Sequence, residues 1–481
     1  MAASAWTQYA MKIKNLVRSI LLASAGCLPF AAQAADLAEV YQRALQNDPQ
    51  IREAEANRLA ALEAKPLARS SLLPQIEANA GYQDRDADGS SVFVATDPVT
   101  GELIPQTRRN ETETETDTWD VTLRQSIFRW GNWAGLKRAD RQVAQAEVDY
   151  QAAQQQLILR TSEAYFNVLA AKDTLTAAEA AQEAFGRQLE QAEKRFEVGL
   201  IAITDVQEAK AAFDSANAAL ILAKRSLANQ LEVLRELTGE IFDTLSRPGE
   251  KVQPTPPDPA NEDDWVRLAM DQNLELVSAR IGAEITREDI SIQRGGHYPT
   301  LDLVLSRSNR DATGTLTLID PVTGRAAGPN DSESEDTTIS LQFNVPIYSG
   351  GAVSSRVREA EYRHRASRER LERVARETER STRDAYLGVM SEMARVQSLR
   401  QAVASSRVAL EATEAGYEVG TRTQVDVLDA RRRLFEAETT YARSRYDYLI
   451  NLLRLQRAAG TLEPDQVARI NSKLDETITL R

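Results

Sequence analysis

Four short stretches of the chain alternate apolar and polar residues strictly. In "PQIEANAGY", Ile76, Ala78, Ala80 and Tyr82 share one face, and Gln75, Glu77 and Asn79 share the other. Trp119, Val121 and Leu123 likewise oppose Asp120, Thr122 and Arg124, and Leu301, Leu303 and Leu305 oppose Thr300, Asp302 and Ser306. Ile339, Leu341, Phe343, Val345 and Ile347 oppose Ser340, Gln342 and Asn344. A period of two predicts β-strands, here over 71–82, 118–128, 298–307 and 337–348. Elsewhere the apolar period is helical, over 35–69 and 263–294 and, at far greater length, over 134–198 and 353–419. About 65 residues at ~1.5 Å each make a helix of ~97 Å. Helices that long need neighbours alongside to bury their apolar stripe. Shorter helices over 204–238 and 423–459 return along them, after turns at 199–203 and 420–422. The Pro-rich segment "RPGEKVQPTPPDPANEDD" makes 247–262 a connection, and 461–481 is a tail.

The chain is written twice. Gly199 pairs with Gly420, Asp205 with Asp426 and Gly239 with Gly460, each 221 residues apart, as are "AYFNVL" at Ala164 and "AYLGVM" at Ala385. "SIFRWG" ending at Gly131 answers "PIYSGG" ending at Gly351, one residue out of step. Even the polar segments rhyme, with "DPVTG" at Asp97 and Asp320, and "NETETETD" at Asn110 against "NDSESED" at Asn330. Residues 35–246 and 263–460 are therefore two structural copies of one unit.

Strands with one apolar face suit either a soluble sheet or a membrane barrel. Aromatic residues at the strand ends, Phe128, Trp130, Trp133, Tyr298 and Tyr348, favour the barrel, because such residues gather at membrane interfaces. The segments joining each strand pair are expected to be long acidic loops at an external surface. Four strands cannot close a barrel, and hydrocarbon does not tolerate open edges. Two copies would make eight strands filled by their own side chains. Three would make twelve and leave a pore, which the polar inner face favours.

Composition narrows the compartment. The 481 residues carry 42% hydrophobic and only 6% aromatic residues, with a net charge of −13 that argues against nucleic acid as a partner. Lys12, Lys14 and Arg18, the run "SILLASAGCLPFAA" and Ala32-Gln33-Ala34 form a secretory signal over 1–34, with Met11 a natural start and residues 1–10 an extension. The single cysteine, Cys27, lies there; "SAGC" is a poor lipidation signal because Ser24 stands where leucine is preferred. No later run reaches the ~20 apolar residues of a membrane helix. Catalytic chemistry finds no support either: His297 and His364 stand apart, no phosphate-cradling loop occurs, and no cofactor or resident metal is called for.

"RFEVGLIAITDVQ" and "GYEVGTRTQVDVLDA" resemble the two tip motifs of the TolC family of outer-membrane efflux channels, and the resemblance extends over essentially the whole chain after the signal. It implies an α+β membrane protein forming a homotrimer, with a 12-stranded outer-membrane barrel continuous with a coiled-coil α-helical tunnel in the periplasm. An equatorial layer would gather the chain ends and the linker near Pro254–Pro259. The implied function is a passive exit duct of tripartite efflux pumps and type I secretion systems. Its implied partners are a periplasmic adaptor, an inner-membrane efflux or ABC transporter, and outer-membrane lipids.

The same resemblance assigns site residues. Thr204, Asp205, Tyr417 and Arg422 would link neighbouring coiled coils into a closed gate, and Thr204 and Thr423 would begin the return helices. Asp426 and Asp429 would form a ring that selects cations and binds polyvalent ones, with like-charge repulsion raising its pKa values. Gly199, Leu200, Gly420 and Thr421 would make the turns and the adaptor contact. The competing reading is an exported coiled-coil structural or adaptor protein without a pore. An adaptor, however, should carry one hairpin and a lipoyl-like domain rather than two hairpins and four strands.

Overall fold

The computed structural model describes residues 34–97, 99–249, 254–320 and 324–480; the signal segment with Cys27 lies outside them. Where one helix was expected over 35–69, there are three: α1 (Leu37–Asn47), α2 (Pro49–Leu62) and α3 (Ala64–Ser70). The first break is at Asp48, which is 2% exposed. Proline at the start of α2 has no N–H to offer α1, so it favours a fresh start. One oxygen of Asp48 accepts from the Gln50 N–H at 3.3 Å, and the other pairs with Arg160. The expected helix over 263–294 divides in the same way, into α6 (Glu262–Gln272) and α7 (Leu274–Arg294), around Asn273.

The remaining elements follow in chain order. After α3 come β1 (Gln75–Thr96), β2 (Leu103–Phe128), the long α4 (Trp130–Glu197), its return α5 (Ile203–Thr238) and β3 (Thr244–Pro248). After α7 come a short 3-10 turn, β4 (Thr300–Asp320), β5 (Gly324–Pro329), β6 (Ser332–Asn344), the long α8 (Ala352–Glu418), its return α9 (Gln424–Ala459), α10 (Pro464–Asn471) and β7 (Leu474–Thr479). The 247–262 connection thus begins inside a strand, and the 461–481 tail holds a helix and a strand.

The chain falls into two units. One comprises residues 53–152 and 274–378 and contains an antiparallel sheet of order β1-β2-β4, whose last place is shared by β5 and β6. β1 and β2 pair without a break from Gln75–Arg124 to Thr96–Leu103. This corrects the expected acidic loops. "NETETETD" lies within β2, with Thr112, Thr114 and Thr116 on one face and Glu111, Glu113 and Glu115 on the other. "SESED" starts β6. The connection between β1 and β2 shrinks to residues 97–102. At the opposite end, Val345–Tyr348 lie beyond β6 rather than in it. Within the described residues, β1 on one side and β5 with β6 on the other have no strand beyond them. Ile76 and Phe343 on the apolar face are 68% and 65% exposed.

The other unit comprises residues 34–52, 153–273 and 379–480. Its core follows the helical apolar stripe: Leu157, Ile158, Tyr165, Phe166 and Leu169 of α4 are fully buried, as are Leu453 and Leu455 of α9. β3 and β7 pair antiparallel, and Ala35 bridges to Leu245 beside them. Polar bonds tie this small sheet to the helices. Tyr165 donates to the Ser246 carbonyl, Arg247 binds Glu476 at 2.9 Å, and Tyr446 donates to Asp173 at 2.7 Å. Burial first, with nearby carboxylates adding, pushes both phenols far above their ordinary range.

Each return helix ends in a left-handed glycine, Gly239 at φ 74° and Gly460 at φ 77°, and an asparagine caps its last carbonyls. Asn47 Nδ2 donates to Thr238 O at 2.8 Å, and Asn273 Nδ2 donates to Ala458 O at 2.9 Å. The two glycines nevertheless differ. A Cβ on Gly239 meets only Asn47 at 3.7 Å, whereas one on Gly460 would lie 2.2 Å from Gln272 O. Gly239→Ala is therefore expected to cost about 1 kcal/mol, the left-handed penalty alone. Gly460→Ala should cost at least about 2–3 kcal/mol, since backbone must move as well. Thermal unfolding of the two variants side by side checks this; equal losses would contradict it.

Candidate functional site

The two hairpin tips lie in the same unit and share one backbone design. Gly199 and Gly420 both take φ 77°, the left-handed region that lets a helix stop without a clashing Cβ. At the first tip, Gly199 N–H reaches Phe196 O at 2.9 Å and Leu200 N–H reaches Arg195 O at 2.9 Å. At the second, Gly420 N–H reaches Tyr417 O at 3.1 Å and Thr421 N–H reaches Gly416 O at 2.8 Å. The orphan carbonyls of each long helix are thus satisfied by the turn itself. Leu200 is 73% exposed, while Thr421 turns its hydroxyl onto Gly416 O at 3.0 Å.

The return helices start at Ala202 and Thr423, which corrects the role expected of Thr204. Ala202 and Thr423 are 221 apart, so they are the true counterparts; Thr204 lies just inside α5 and is exposed. Asp205 and Asp426 occupy the same place in their helices and reach back to the cap N–H, at 3.3 Å and 2.9 Å. Thr423 completes a reciprocal capping box with Asp426. Ala202 has no side-chain oxygen, so only half the box forms at the first tip.

Capping also sets the electrostatics of Asp426 within one chain. Hydrogen bonds from the Thr423 backbone, then from its side chain, hold the Asp426 carboxyl below its usual range, and nearby Arg422 adds to the effect. Within one chain the shift is downward, because the cap donors outweigh the cost of desolvation. Asp429, one turn further along, pairs with Arg432 at 2.9 Å.

Of the four gate residues, none is hydrogen-bonded to another among the described residues. Tyr417 instead accepts from Arg195 Nη1 at 2.9 Å, and that guanidinium lies over its ring at 5.3 Å. Tyr417 also donates to Gln424 Oε1 at 3.5 Å, and Gln424 is 4% exposed with its Nε2 unpartnered. The stem of Arg422 folds over Gly416, where any Cβ would lie 2.8 Å from its Cγ. Its guanidinium has no hydrogen-bonded partner among the described residues. Arg431 pairs with Glu414 nearby. Arg195, Gln424, Glu414 and Arg431 were not singled out from sequence. Arg195 and Gln424 each stand four residues from a tip glycine, and that proximity is the available signal. Below the tips, Phe185, Ala216 and Leu428 make an apolar cluster, joined by Phe435.

A sheet with an exposed apolar face and two helical hairpins, written in duplicate, define a membrane channel protein of the outer-membrane type. The comparisons make this specific. Residues 40–240 and 265–461 match the family model for outer membrane efflux proteins. The chain is 37% identical to the outer membrane protein TolC of Vibrio cholerae over 462 residues, covering 96% of this chain and 99% of that one. It is 28% identical to the alkaline protease secretion protein AprF of Pseudomonas aeruginosa, over 90% of this chain and 86% of that one. The solved outer membrane protein VceC of Vibrio cholerae has the same fold, with a TM-score of 0.67 at 20% identity, covering 88% of this chain and 96% of that one. The chain belongs to the outer membrane efflux protein family and lies in the cell outer membrane.

Proposed function

We propose that three copies of this chain close their sheets into one twelve-stranded barrel and their hairpins into one periplasmic tunnel, forming the passive exit duct of an efflux or secretion system. The observation that carries this is the sheet itself. Its face is apolar and exposed, yet two long edges carry unpaired N–H and C=O groups. Hydrocarbon penalises each such group by several kcal/mol, so the edges must meet other edges. Three copies supply them and leave the polar face around a water-filled lumen.

The tips then close the periplasmic end. Arg422, whose guanidinium is not hydrogen-bonded among the described residues, is placed to reach a carboxylate such as Asp205 of a neighbouring copy, while Thr204 and Tyr417 add neutral hydrogen bonds. Asp426 and Asp429 from three copies make six carboxylates around the aperture. A periplasmic adaptor docks on the turns, where Leu200 and Val419 are exposed and Gly199, Gly420 and Thr421 keep the surface low. An inner-membrane efflux or ABC transporter supplies the energy. The family name supports efflux, and the name of the Pseudomonas relative supports secretion.

Purified protein placed in a planar bilayer is expected to conduct, to select cations, and to have the mass of three chains. A folded, membrane-inserted trimer that conducts nothing, even with Arg422→Ser to loosen the tip, would leave only the non-pore structural reading.

A further inference from the structure

Just below the strand ends, in the same unit as the sheet, a cleft of about 490 Å³ opens between α4, α7 and α8. Its polar lining is unusually basic. Arg138 of α4 is paired with Asp289 of α7 at 2.9 Å, and Arg363 of α8 with Glu359 at 2.6 Å. Arg356 of α8 is exposed and has no carboxylate partner among the described residues. Gln293, at the end of α7, supplies an amide. The cleft thus holds three guanidinium groups against two carboxylates, leaving one positive charge unanswered.

Its depth is set by what lies beside it. Trp130, at the start of α4, donates to Ser291 at 3.2 Å and packs edge-on to Tyr298 at 5.7 Å; Trp133 and Tyr348 are exposed nearby in sequence. Aromatic residues at strand ends mark the boundary between hydrocarbon and head groups. Arg356 stands four residues into α8, about 6 Å along its axis, and Arg138 stands eight residues into α4, about 12 Å. The polar layer of a bilayer extends roughly 5–8 Å beyond its hydrocarbon on each side. Arg356 therefore lies at head-group depth, with Arg138 about 6 Å and Arg363 about 10 Å further from the strands on the lower wall of the same cleft. Arginine binds phosphate by paired N–H donors, and basic pockets between helices at a membrane surface recognise anionic head groups.

We infer that this cleft binds the phosphate head group of an anionic phospholipid in the periplasmic leaflet, with Arg356 as the primary contact and Arg138 and Arg363 supporting it. The seat is independent of the tip, and its test does not depend on channel opening.

The test is native mass spectrometry of the full-length protein titrated with phosphatidylglycerol and, separately, with phosphatidylcholine. Phosphatidylglycerol adducts should dominate. Arg356→Gln breaks no ion pair, so folding is spared, and it should weaken phosphatidylglycerol binding about fivefold, as expected for one basic group near a head-group layer. Adding Arg363→Gln should weaken it further. Arg368→Ala, on the same helix but about 18 Å further from the strands than Arg356, should change nothing. The inference is overturned if Arg356→Gln binds like the parent, if Arg368→Ala loses as much, or if the two lipids bind alike. Displacement of the lipid by millimolar inorganic phosphate would make this a soluble-anion site and overturn it equally.

Discussion

Channels carrying Asp426→Ala and Asp429→Ala together are expected to lose block by a trivalent cation, with the blocking constant rising at least about a hundredfold. A trivalent ion ~6 Å from one carboxylate gains roughly 2 kcal/mol even at the dielectric of water. Three copies would present six, and salt removes only part of the sum. Two neighbouring contacts give the prediction further sign. Arg432, 2.9 Å from Asp429, cancels some of that charge, so Arg432→Ala should strengthen block. Asp426 is held below its ordinary carboxylate pKa by Thr423, so it stays charged as the medium acidifies. The stability gained from that cap is complete above the ordinary value and disappears as pH falls through the depressed one. Block should accordingly persist to lower pH than with an uncapped aspartate at this position, and Thr423→Val should make it fail at higher pH. Conductance that is blocked as strongly in the double variant would place the cation site elsewhere in the lumen.

Loosening the tip is the second large effect. Tyr417→Phe deletes the hydroxyl that Arg195 and Gln424 share but keeps the ring beneath the guanidinium. Arg422→Ser removes a cation whose guanidinium is not hydrogen-bonded among the described residues, although its charge acts on Asp426. Each link contributes at most about 1 kcal/mol. Repeated in three copies, the loss of either link amounts to at most about 3 kcal/mol, or on the order of a hundredfold in the ratio of open to closed. The combined variant should therefore sit open for most of the recording, with Arg195→Ala giving a smaller increase. Gln424→Leu should change the open fraction little, since it removes a buried amide with an unpartnered nitrogen together with one long bond from Tyr417. If Arg195→Ala leaves the open fraction untouched at unchanged thermal stability, the bond to Tyr417 is not part of closure.

Much of this architecture was readable because duplication doubles every signal. A glycine in a long helix means little once; at Gly199 and again at Gly420 it marks a turn. The errors were equally physical. "NETETETD" reads as a loop because its alternation is β-branched against charged, with no apolar residue to announce a strand. A strand can carry that pattern where neither face is packed in an apolar core. Thr204 was given a capping role because threonine suits one, although the 221-residue offset points to Ala202. Pro49 marks the break at Asp48 locally, but the contacts of Asp48 with α4 and of Asn273 with α9 reach more than a hundred residues along the sequence and leave no local trace. The same holds for Arg195 on Tyr417. What a helix needs locally is written in its neighbourhood; what it needs from another helix is not.

The two tips share a backbone but not an end face: one shows the isobutyl group of Leu200, the other a Thr421 hydroxyl already turned inward. Around a ring of three chains these faces would alternate, greasy and plain, six times. The rim is then a hexagon in outline and a triangle in chemistry. Identical subunits seated on all six corners would have to adopt two poses, and a mutation at Leu200 would disturb only every second seat.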